Sequence, residues 1–291
     1  MMRMEINYNS GKALQSFMEK HDLGMRKKYG QNFLVNSEAR QKLADALEAE
    51  PGDEVWEIGP GLGAMTRHLL DKNFHVTAFE IDPGFLRLLP EIFKDEAKFR
   101  LIAGDVMKTW KTQKPARYLL GNLPYNIAAA LIGDMIEARY FFKNMVVTVQ
   151  KELGLRMTAL PGSQNYSSFS VLCSSVYKVK KLINIHASSF YPKPHVDSCG
   201  LKLELDSQIN KYPEIFYPLV RSLFSRRRKV IKNNLADFIR ATESKQDNTE
   251  KINEICMFVL NQNRLSGMER AENLVIETFF GLAQTLENMR K

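Results

Sequence analysis

Residues 55–72 constrain this chain more than any other stretch. A short buried-type strand, Val55-Trp56-Glu57-Ile58, runs into Gly59-Pro60-Gly61-Leu62-Gly63 and then into a helix predicted from Ala64 to Lys72. A glycine turn between strand and helix brings bare backbone to a helix N-terminus, where a ligand can approach closely. Such turns belong to sheets whose strands alternate with helices. The flanking sequence keeps that alternation. Strands are predicted at His75–Glu80, Phe99–Ala103, Tyr118–Leu120 and Met145–Gln150, with helices at Phe85–Phe93 and Ala128–Ala138. Upstream, Asn36 or Ser37 caps a helix whose Ala39, Leu43, Ala46 and Leu47 share one face. Downstream, a helix is expected at Leu153–Leu160, then an antiparallel edge pair at Val179–His186 and Cys199–Leu205. After Leu205 the strand signal fades, Asp206–Lys211 reads as a polar linker, and the remainder reads as helices. The expected organisation is an arm over residues 1–30, an α/β domain with a mostly parallel doubly wound sheet over 31–206, and an all-α domain over 207–291.

The glycine turn follows a strand and opens a helix, the context of a nucleotide-binding loop. A dinucleotide pyrophosphate is one candidate ligand. However, Pro60 removes an N–H that could bind phosphate, and Glu57 puts an anion beside the turn. Both features suit S-adenosylmethionine better, because it lacks phosphate and carries a sulfonium and an α-amino group. Glu80 closes the second strand, where an acid can accept ribose hydroxyls. Asp105 ends the third, placed to accept from an adenine amino group, although Gly104-Asp105 is also an ordinary turn dipeptide. Gln31-Asn32-Phe33-Leu34 has no assignment on pattern alone, and Phe33 and Leu34 read as core.

The fourth strand delivers Gly121-Asn122-Leu123-Pro124-Tyr125-Asn126. An Asn-x-Pro-Tyr turn suits methylation of an amino group on an aromatic ring. The lone pair of that nitrogen is delocalised, and two acceptors aimed at its N–H bonds can localise it. The Asn122 side-chain oxygen and a backbone carbonyl near Leu123 are such acceptors. Pro124 stiffens the turn, and Tyr125 offers a face for a base to stack on. Asn and Pro are also common in plain loops.

Hydrophobic content of 44% and charged content of 25% describe an ordinary globular chain and exclude disorder. No apolar run reaches membrane-span length and no secretory h-region stands near Met1, so a cytoplasmic protein without membrane association is expected. Cys173, Cys199 and Cys256 lie far apart without metal-ligand spacing, so they are expected as buried thiols with no metal site. The net charge of +8 favours polyanionic partners. Residues 221–232 hold six basic residues and no acid, and smaller clusters stand at Arg26-Lys27-Lys28 and at Lys178, Lys180 and Lys181. One such run is usually a solvated face; three beside a base-holding turn point to nucleic acid.

Taken in order, these motifs resemble those of the ribosomal RNA adenine N6-dimethyltransferase family. Gln31–Leu34, Glu57–Gly63, Glu80-Ile81-Asp82, Gly104-Asp105-Val106, Asn122–Tyr125 and Phe190-Tyr191-Pro192-Lys193-Pro194-His195-Val196-Asp197-Ser198 follow the family's sequence over nearly the whole chain. The resemblance implies a Rossmann-like class I S-adenosylmethionine-dependent methyltransferase domain with a smaller all-α C-terminal domain. It implies that Asn32, Leu34, Gly59, Glu80, Asp105 and Asn122 line the methyl donor, with Gln31, Glu57, Gly61, Ile81 and Val106 beside them. It also implies that Phe190 stacks on a flipped adenine opposite Tyr125; a buried core aromatic is the ordinary alternative.

Two branches of the family differ in substrate. One dimethylates two adjacent adenosines near the 3′ end of small-subunit rRNA in the 30S particle; the other modifies an adenosine of large-subunit rRNA and confers erythromycin resistance. Leu123, Phe224–Lys229 followed by Asn233-Asn234-Leu235, and Arg270-Ala271-Glu272-Asn273-Leu274 resemble the first branch, with Ala271 where that branch has proline. Arg226, Arg227, Arg228 and Lys229 are the expected phosphate contacts, and a monomer is expected. The alternatives are a resistance-type enzyme, a non-catalytic RNA-binding assembly factor, a small-molecule methyltransferase and a DNA adenine methyltransferase.

Overall fold

The computed structural model describes residues 4–25, 29–207, 212–242 and 249–290. The basic cluster Arg26-Lys27-Lys28 and residues 208–211 of the expected linker lie outside the described residues. In chain order the elements begin with α1 (Gly11–Lys20), β1 (Phe33–Leu34), α2 (Ser37–Asp45), β2 (Glu54–Ile58), α3 (Ala64–Asp71), β3 (His75–Glu80), α4 (Pro83–Ile92) and β4 (Phe99–Ala103). They continue with α5 (Val106–Thr109), β5 (Tyr118–Asn122), α6 (Ala128–Glu137), β6 (Asn144–Gln150), α7 (Lys151–Met157), α8 (Ser168–Ser174), β7 (Tyr177–Ile185), β8 (Phe190–Tyr191) and β9 (Ser198–Leu205). The helices α9 (Phe216–Phe224), α10 (Ile231–Thr242), α11 (Thr249–Gln262) and α12 (Ile276–Arg290) complete the order.

The chain divides into two compact units, residues 1–154 with 178–205 and residues 155–177 with 206–291. This differs from the division read in the sequence, which assigned 155–177 to the α/β domain over 31–206. The reason is apolar: Tyr166 and Val171 join the core of the C-terminal helices. The N-terminal arm is not a separate piece either, because Leu14 and Met18 of α1 enter the same core cluster as Leu69, Val76 and Val146.

In the first unit a seven-stranded sheet has the order β4-β3-β2-β5-β6-β9-β7. β4, β3, β2, β5 and β6 pair in parallel, and β9 runs antiparallel to β6. The central strands are buried on both faces, which is why they read as continuous apolar runs. Val55, Trp56 and Ile58 of β2 are all at most 2% exposed. Trp56 packs edge-on to Phe79 and Phe142 and stacks on Tyr140. β7 closes one edge of the sheet. The exposed Lys180 and Lys181 stand on that edge strand, where lysines discourage pairing with another chain.

The order of the sheet decides where a ligand can sit. After β2 the chain builds outward through β3 and β4; it then returns to the other side of β2 with β5 and β6. The switch lies between β2 and β5, and ligands of open parallel sheets bind at the carboxyl ends of strands at that point. Register fixes Ile58 opposite Gly121, so the glycine turn and Asn122 leave the sheet side by side. β5 also runs further than expected. Asn122 is still in the strand, opposite Thr148, rather than in the turn.

The second unit holds α8–α12 around Phe216, Leu219, Leu223, Leu235, Val259, Leu260, Phe279 and Leu282. Asn234 is 1% exposed, and its amide donates to the carbonyls of Leu223 at 2.8 Å and Arg226 at 3.3 Å. It thereby satisfies carbonyls left open where α9 ends and shapes the basic loop that follows.

Candidate active site

A cleft opens over the switch point of the first unit. Its walls include Gln31, Asn32, Phe33 and Leu34 from the segment around β1; Glu57, Gly59, Pro60 and Gly61 from β2 and its turn; Glu80 at the end of β3 with Ile81 after it; and Gly121 and Asn122 of β5 with Pro124 beyond it. Eight of the expected donor-lining residues are therefore brought together around Glu57: Gln31, Asn32, Leu34, Gly59, Gly61, Glu80, Ile81 and Asn122.

Hydrogen bonds orient these groups. The Asn122 amide nitrogen donates to the Asn32 carbonyl at 2.7 Å. This commits the nitrogen and leaves the side-chain oxygen as a free-facing acceptor. The Asn32 side chain in turn donates to the Gly30 carbonyl at 3.1 Å. Gln31 donates to Asp82 at 2.9 Å, and Asp82 caps α4 through the Gly84 N–H at 2.7 Å. The segment that resisted assignment from pattern is thus the clasp that ties Asn122 and the end of β3 together.

Glu80 is 6% exposed. Its Oε1 accepts from the N–H groups of Ile81 at 2.8 Å and Asp82 at 2.7 Å, and its Oε2 accepts a longer bond from Gly61 at 3.3 Å. One carboxylate oxygen is therefore fully engaged, and Oε2 is the atom with capacity to spare for a ligand hydroxyl. Burial pushes its pKa up to about 7, against the backbone donors that lower it. Glu57, 2% exposed, accepts from the Thr66 hydroxyl at 2.6 Å. Burial, with a smaller contribution from nearby Glu80, pushes its pKa up to about 8 although the Thr66 bonds oppose this.

These features fit S-adenosylmethionine. Gly59 has φ +68, and a Cβ there would meet nothing within 4 Å, so the bare backbone borders space that a ligand can fill. Phe33, Met65, Phe85 and Leu120 supply apolar wall, and the two buried carboxyls Glu57 and Glu80 belong to the same wall, where a cationic ligand would favour their ionised forms. Among the described residues one arginine, Arg40, stands in the wall; it is 3% exposed and gives its terminal nitrogens to protein oxygens, which does not make a phosphate site.

The two carboxyls make donor binding pH-dependent. Below their pKa values both hold protons, and a cationic ligand favours the ionised forms, so binding expels protons. Affinity should rise with pH and level off above about pH 8, once both free carboxyls are ionised, by up to about tenfold per pH unit for each proton expelled. Calorimetry in two buffers of different ionisation enthalpy checks this; a dissociation constant flat with pH, with no proton release, would remove the electrostatic account.

Several expected residues stand outside the cleft wall. Asp105 caps α5, its Oδ1 accepting from the Met107 N–H at 3.0 Å, and Val106 is 6% exposed. That carboxylate is at least half engaged in local structure, which is the usual work of an Asp at such a turn. Leu123 is 1% exposed, so its side chain is core and only its backbone is a candidate acceptor. Tyr125 is half-buried and its hydroxyl bonds Ser198 at 2.7 Å, which fixes the ring's orientation. Phe190 departs from expectation. It is 4% exposed, pairs through β8 with Leu34 of β1, and belongs to the core cluster. In this conformation it is a buried aromatic, paired with a residue of the cleft wall.

The basic segment lies in the second unit. Arg226 pairs with Asp237 at 3.0 Å, and Arg227 with Glu272 at 3.0 Å while also donating to the Gln164 carbonyl at 3.1 Å. Arg228 and Lys229 are exposed, and among the described residues neither has an ion pair. The Arg227–Glu272 pair links the two sequence signatures of that half of the chain. Ala271 opens the short turn Ala271–Asn273, a position where proline and alanine both fit, so the departure at this residue preserves the turn.

Sequence reasoning missed Arg40 and Thr66, and it quoted Ser198 within a motif without giving it a role. Arg40 carried a signal: it lies on the α2 face shared with Leu43, Ala44 and Leu47, where a charge is unexpected. Thr66 carried none, and the bond of Ser198 to Tyr125 arises only from a contact across the fold.

Residues 23–277 match the family model described as ribosomal RNA adenine dimethylase. The chain belongs to that family. It is 43% identical to "Ribosomal RNA small subunit methyltransferase A" of Treponema denticola, over 97% of each chain, and 41% identical to the protein of that name from Borreliella burgdorferi, over 98% of this chain and 97% of the other. In structure it is similar to a dimethyladenosine transferase from Plasmodium falciparum, at 27% identity and a TM-score of 0.72, covering 87% of this chain and 96% of that one. The family carries the expected class with it: an S-adenosylmethionine-dependent adenine dimethyltransferase acting on ribosomal RNA, on a Rossmann-like sheet with C-terminal helices. Among the described residues no helix is long and apolar enough to cross a membrane.

Proposed function

We propose that this protein dimethylates the N6 amino groups of two adjacent adenosines near the 3′ end of small-subunit rRNA, acting as a cytoplasmic monomer on the 30S particle. The observation that carries the chemistry is the orientation of Asn122. Its amide nitrogen is held by the Asn32 carbonyl, and its oxygen is left as an acceptor at the edge of the donor cleft. The names of the relatives at 41–43% identity favour the small subunit over the large.

S-adenosylmethionine, when bound, supplies an electrophilic methyl group on a sulfonium. Glu57 and Glu80 would hold the cationic donor, and Oε2 of Glu80 would accept from its ribose. The target adenine leaves its stack to reach the cleft. The Asn122 oxygen and the Leu123 carbonyl accept its two amino hydrogens, pulling the lone pair out of the ring and toward the methyl. Tyr125, with its hydroxyl tied to Ser198, presents one face to the base. Phe190 pairs with Leu34 of the cleft wall. The methylated nitrogen is acidic enough to lose its proton to water, so no side chain has to act as base. Orientation of two reactants supplies most of the acceleration, with the oriented acceptors adding to it.

Incubation of undermethylated 30S particles with protein and donor, followed by nucleoside analysis of the digested rRNA, tests this directly. N6,N6-dimethyladenosine should appear only with donor; its absence under conditions where the donor binds would favour a scaffold.

The ion pairs divide the basic loop into two parts. Arg228→Ala combined with Lys229→Ala should weaken rRNA binding and lower the salt slope by about two, one for each phosphate no longer neutralised. Arg227→Ala should instead loosen the loop by releasing Glu272 and Gln164, with a smaller change in slope. Binding measured across a salt series separates them; equal slopes for wild type and the double variant would place the RNA elsewhere.

A further inference from the structure

The family match begins at residue 23, yet the chain before it bonds to the glycine turn and to a residue of the cleft wall. We propose that the N-terminal arm is a positioning part of the donor cleft, acting through Tyr8, Asn9 and the arginine that holds them, Arg40. The inference rests on the donor reading above.

Arg40 joins three segments. Its guanidinium donates to the Leu34 carbonyl at 2.6 Å, to the Tyr8 carbonyl at 3.2 Å and to the Asn9 side-chain oxygen at 2.5 Å. Leu34 is a wall of the cleft and so is Arg40 itself. From the arm's side, the Tyr8 hydroxyl donates to the Leu62 carbonyl at 2.9 Å. Leu62 lies between Gly61 and Gly63, within the turn that follows β2. The arm therefore grips both walls at once: the β1 segment through Arg40, and the glycine turn through Tyr8. Neither wall is tied to the other by regular secondary structure, because β1 pairs only with β8 among the described residues while the glycine turn belongs to the large sheet.

The arm is built to stay there. Ser10 caps α1 by accepting from the Ala13 N–H at 3.2 Å. At the start of α1, Gly11 lies against the Tyr191 ring so closely that a Cβ would stand 2.8 Å from it. Leu14 and Met18 are buried, and Arg87 donates to the His21 carbonyl at 3.0 Å. Burial pushes the Tyr8 pKa up to about 12, which keeps its hydroxyl a donor at any physiological pH.

A glycine turn held from behind is held in the shape that accepts the donor. Loss of the Tyr8 hydroxyl should thus weaken donor binding without touching the groups that polarise the target amine. The test uses the full chain with Tyr8→Phe, and Asn9→Ala as a second variant that leaves the core packing alone. Donor binding is measured by calorimetry, and kcat and KM by methylation of 30S particles. Tyr8→Phe should raise the dissociation constant and the KM for S-adenosylmethionine about three- to tenfold. At saturating donor its kcat should be near wild type, as should its KM for the particle. Asn9→Ala should shift the same constants in the same direction by less. A lowered melting temperature with unchanged donor constants in both variants would make the arm a structural brace only and overturn the proposal. Failure of the wild-type protein to bind S-adenosylmethionine would instead overturn the donor reading, and the proposal with it.

Discussion

Asn122→Ala is expected to lower kcat by about 10²–10³-fold, the usual cost of deleting one oriented group that acts on charge developing in the transition state. The dissociation constant for S-adenosylmethionine should change by only a few-fold. The two effects separate because the two ends of the side chain do different things. The nitrogen holds the Asn32 carbonyl and helps to shape the cleft, while the oxygen is the acceptor proposed for the target amine. Truncation removes the acceptor entirely but leaves the glycine turn, Glu57 and Glu80 in place. Asn122→Asp keeps an acceptor oxygen and sets a second oxygen against the Asn32 carbonyl, so it should lose donor affinity as well as rate. Single-turnover methylation with parallel calorimetry reads both quantities. An alanine variant with wild-type kcat would refute the acceptor mechanism.

Glu80→Ala should raise the dissociation constant for the donor by about a hundredfold or more, with kcat partly recovered at very high donor concentration. The carboxylate has two duties. It satisfies the N–H groups of Ile81, Asp82 and Gly61, and in the proposed donor site its Oε2 accepts from the ribose. Losing a charged hydrogen bond removes about 1.5–3 kcal/mol, and each 1.4 kcal/mol is a factor of ten in affinity. The Gly61 N–H left without a partner disturbs the turn as well. Glu80→Gln retains an oxygen for Ile81 and Asp82 but turns an NH₂ toward Gly61, so a loss of about tenfold is expected. The amide also cannot ionise, so the rise of affinity with pH should be shallower in this variant than in wild type. A Glu80→Ala protein that binds donor normally would show that the cleft holds its ligand by other means.

The alternation of strands and helices was legible because the central strands are buried on both faces and each helix follows a turn signal. Expected and observed ends of β3 and β4 coincide at Glu80 and Ala103. The donor cleft was legible because its glycine turn and acids sit at strand ends, where sequence position alone sets location. What the sequence did not reveal depends on the third dimension. Phe190 reads the same whether its ring faces a base or a core; only its pairing opposite Leu34 decides. Helix α8 begins at a serine capping box, Ser167 with Ser170, in a serine-rich stretch that reads as loop. Arg226 and Arg227 looked like free phosphate contacts until their acidic partners, Asp237 and Glu272, were brought to them by α10 and the turn at Ala271. The arm is the extreme case. Tyr8 and Leu62 are 54 positions apart, and no local pattern announces their bond.

Primer extension across both rRNAs, after undermethylated ribosomal particles have met this protein and S-adenosylmethionine, tests the central claim most directly. Dimethylation of N6 blocks the pairing edge of adenine and halts reverse transcriptase. A donor-dependent stop at adjacent adenosines near the 3′ end of small-subunit rRNA, lost with Asn122→Ala, is the predicted result. A stop on large-subunit rRNA alone, or none on either while the donor binds, would contradict it.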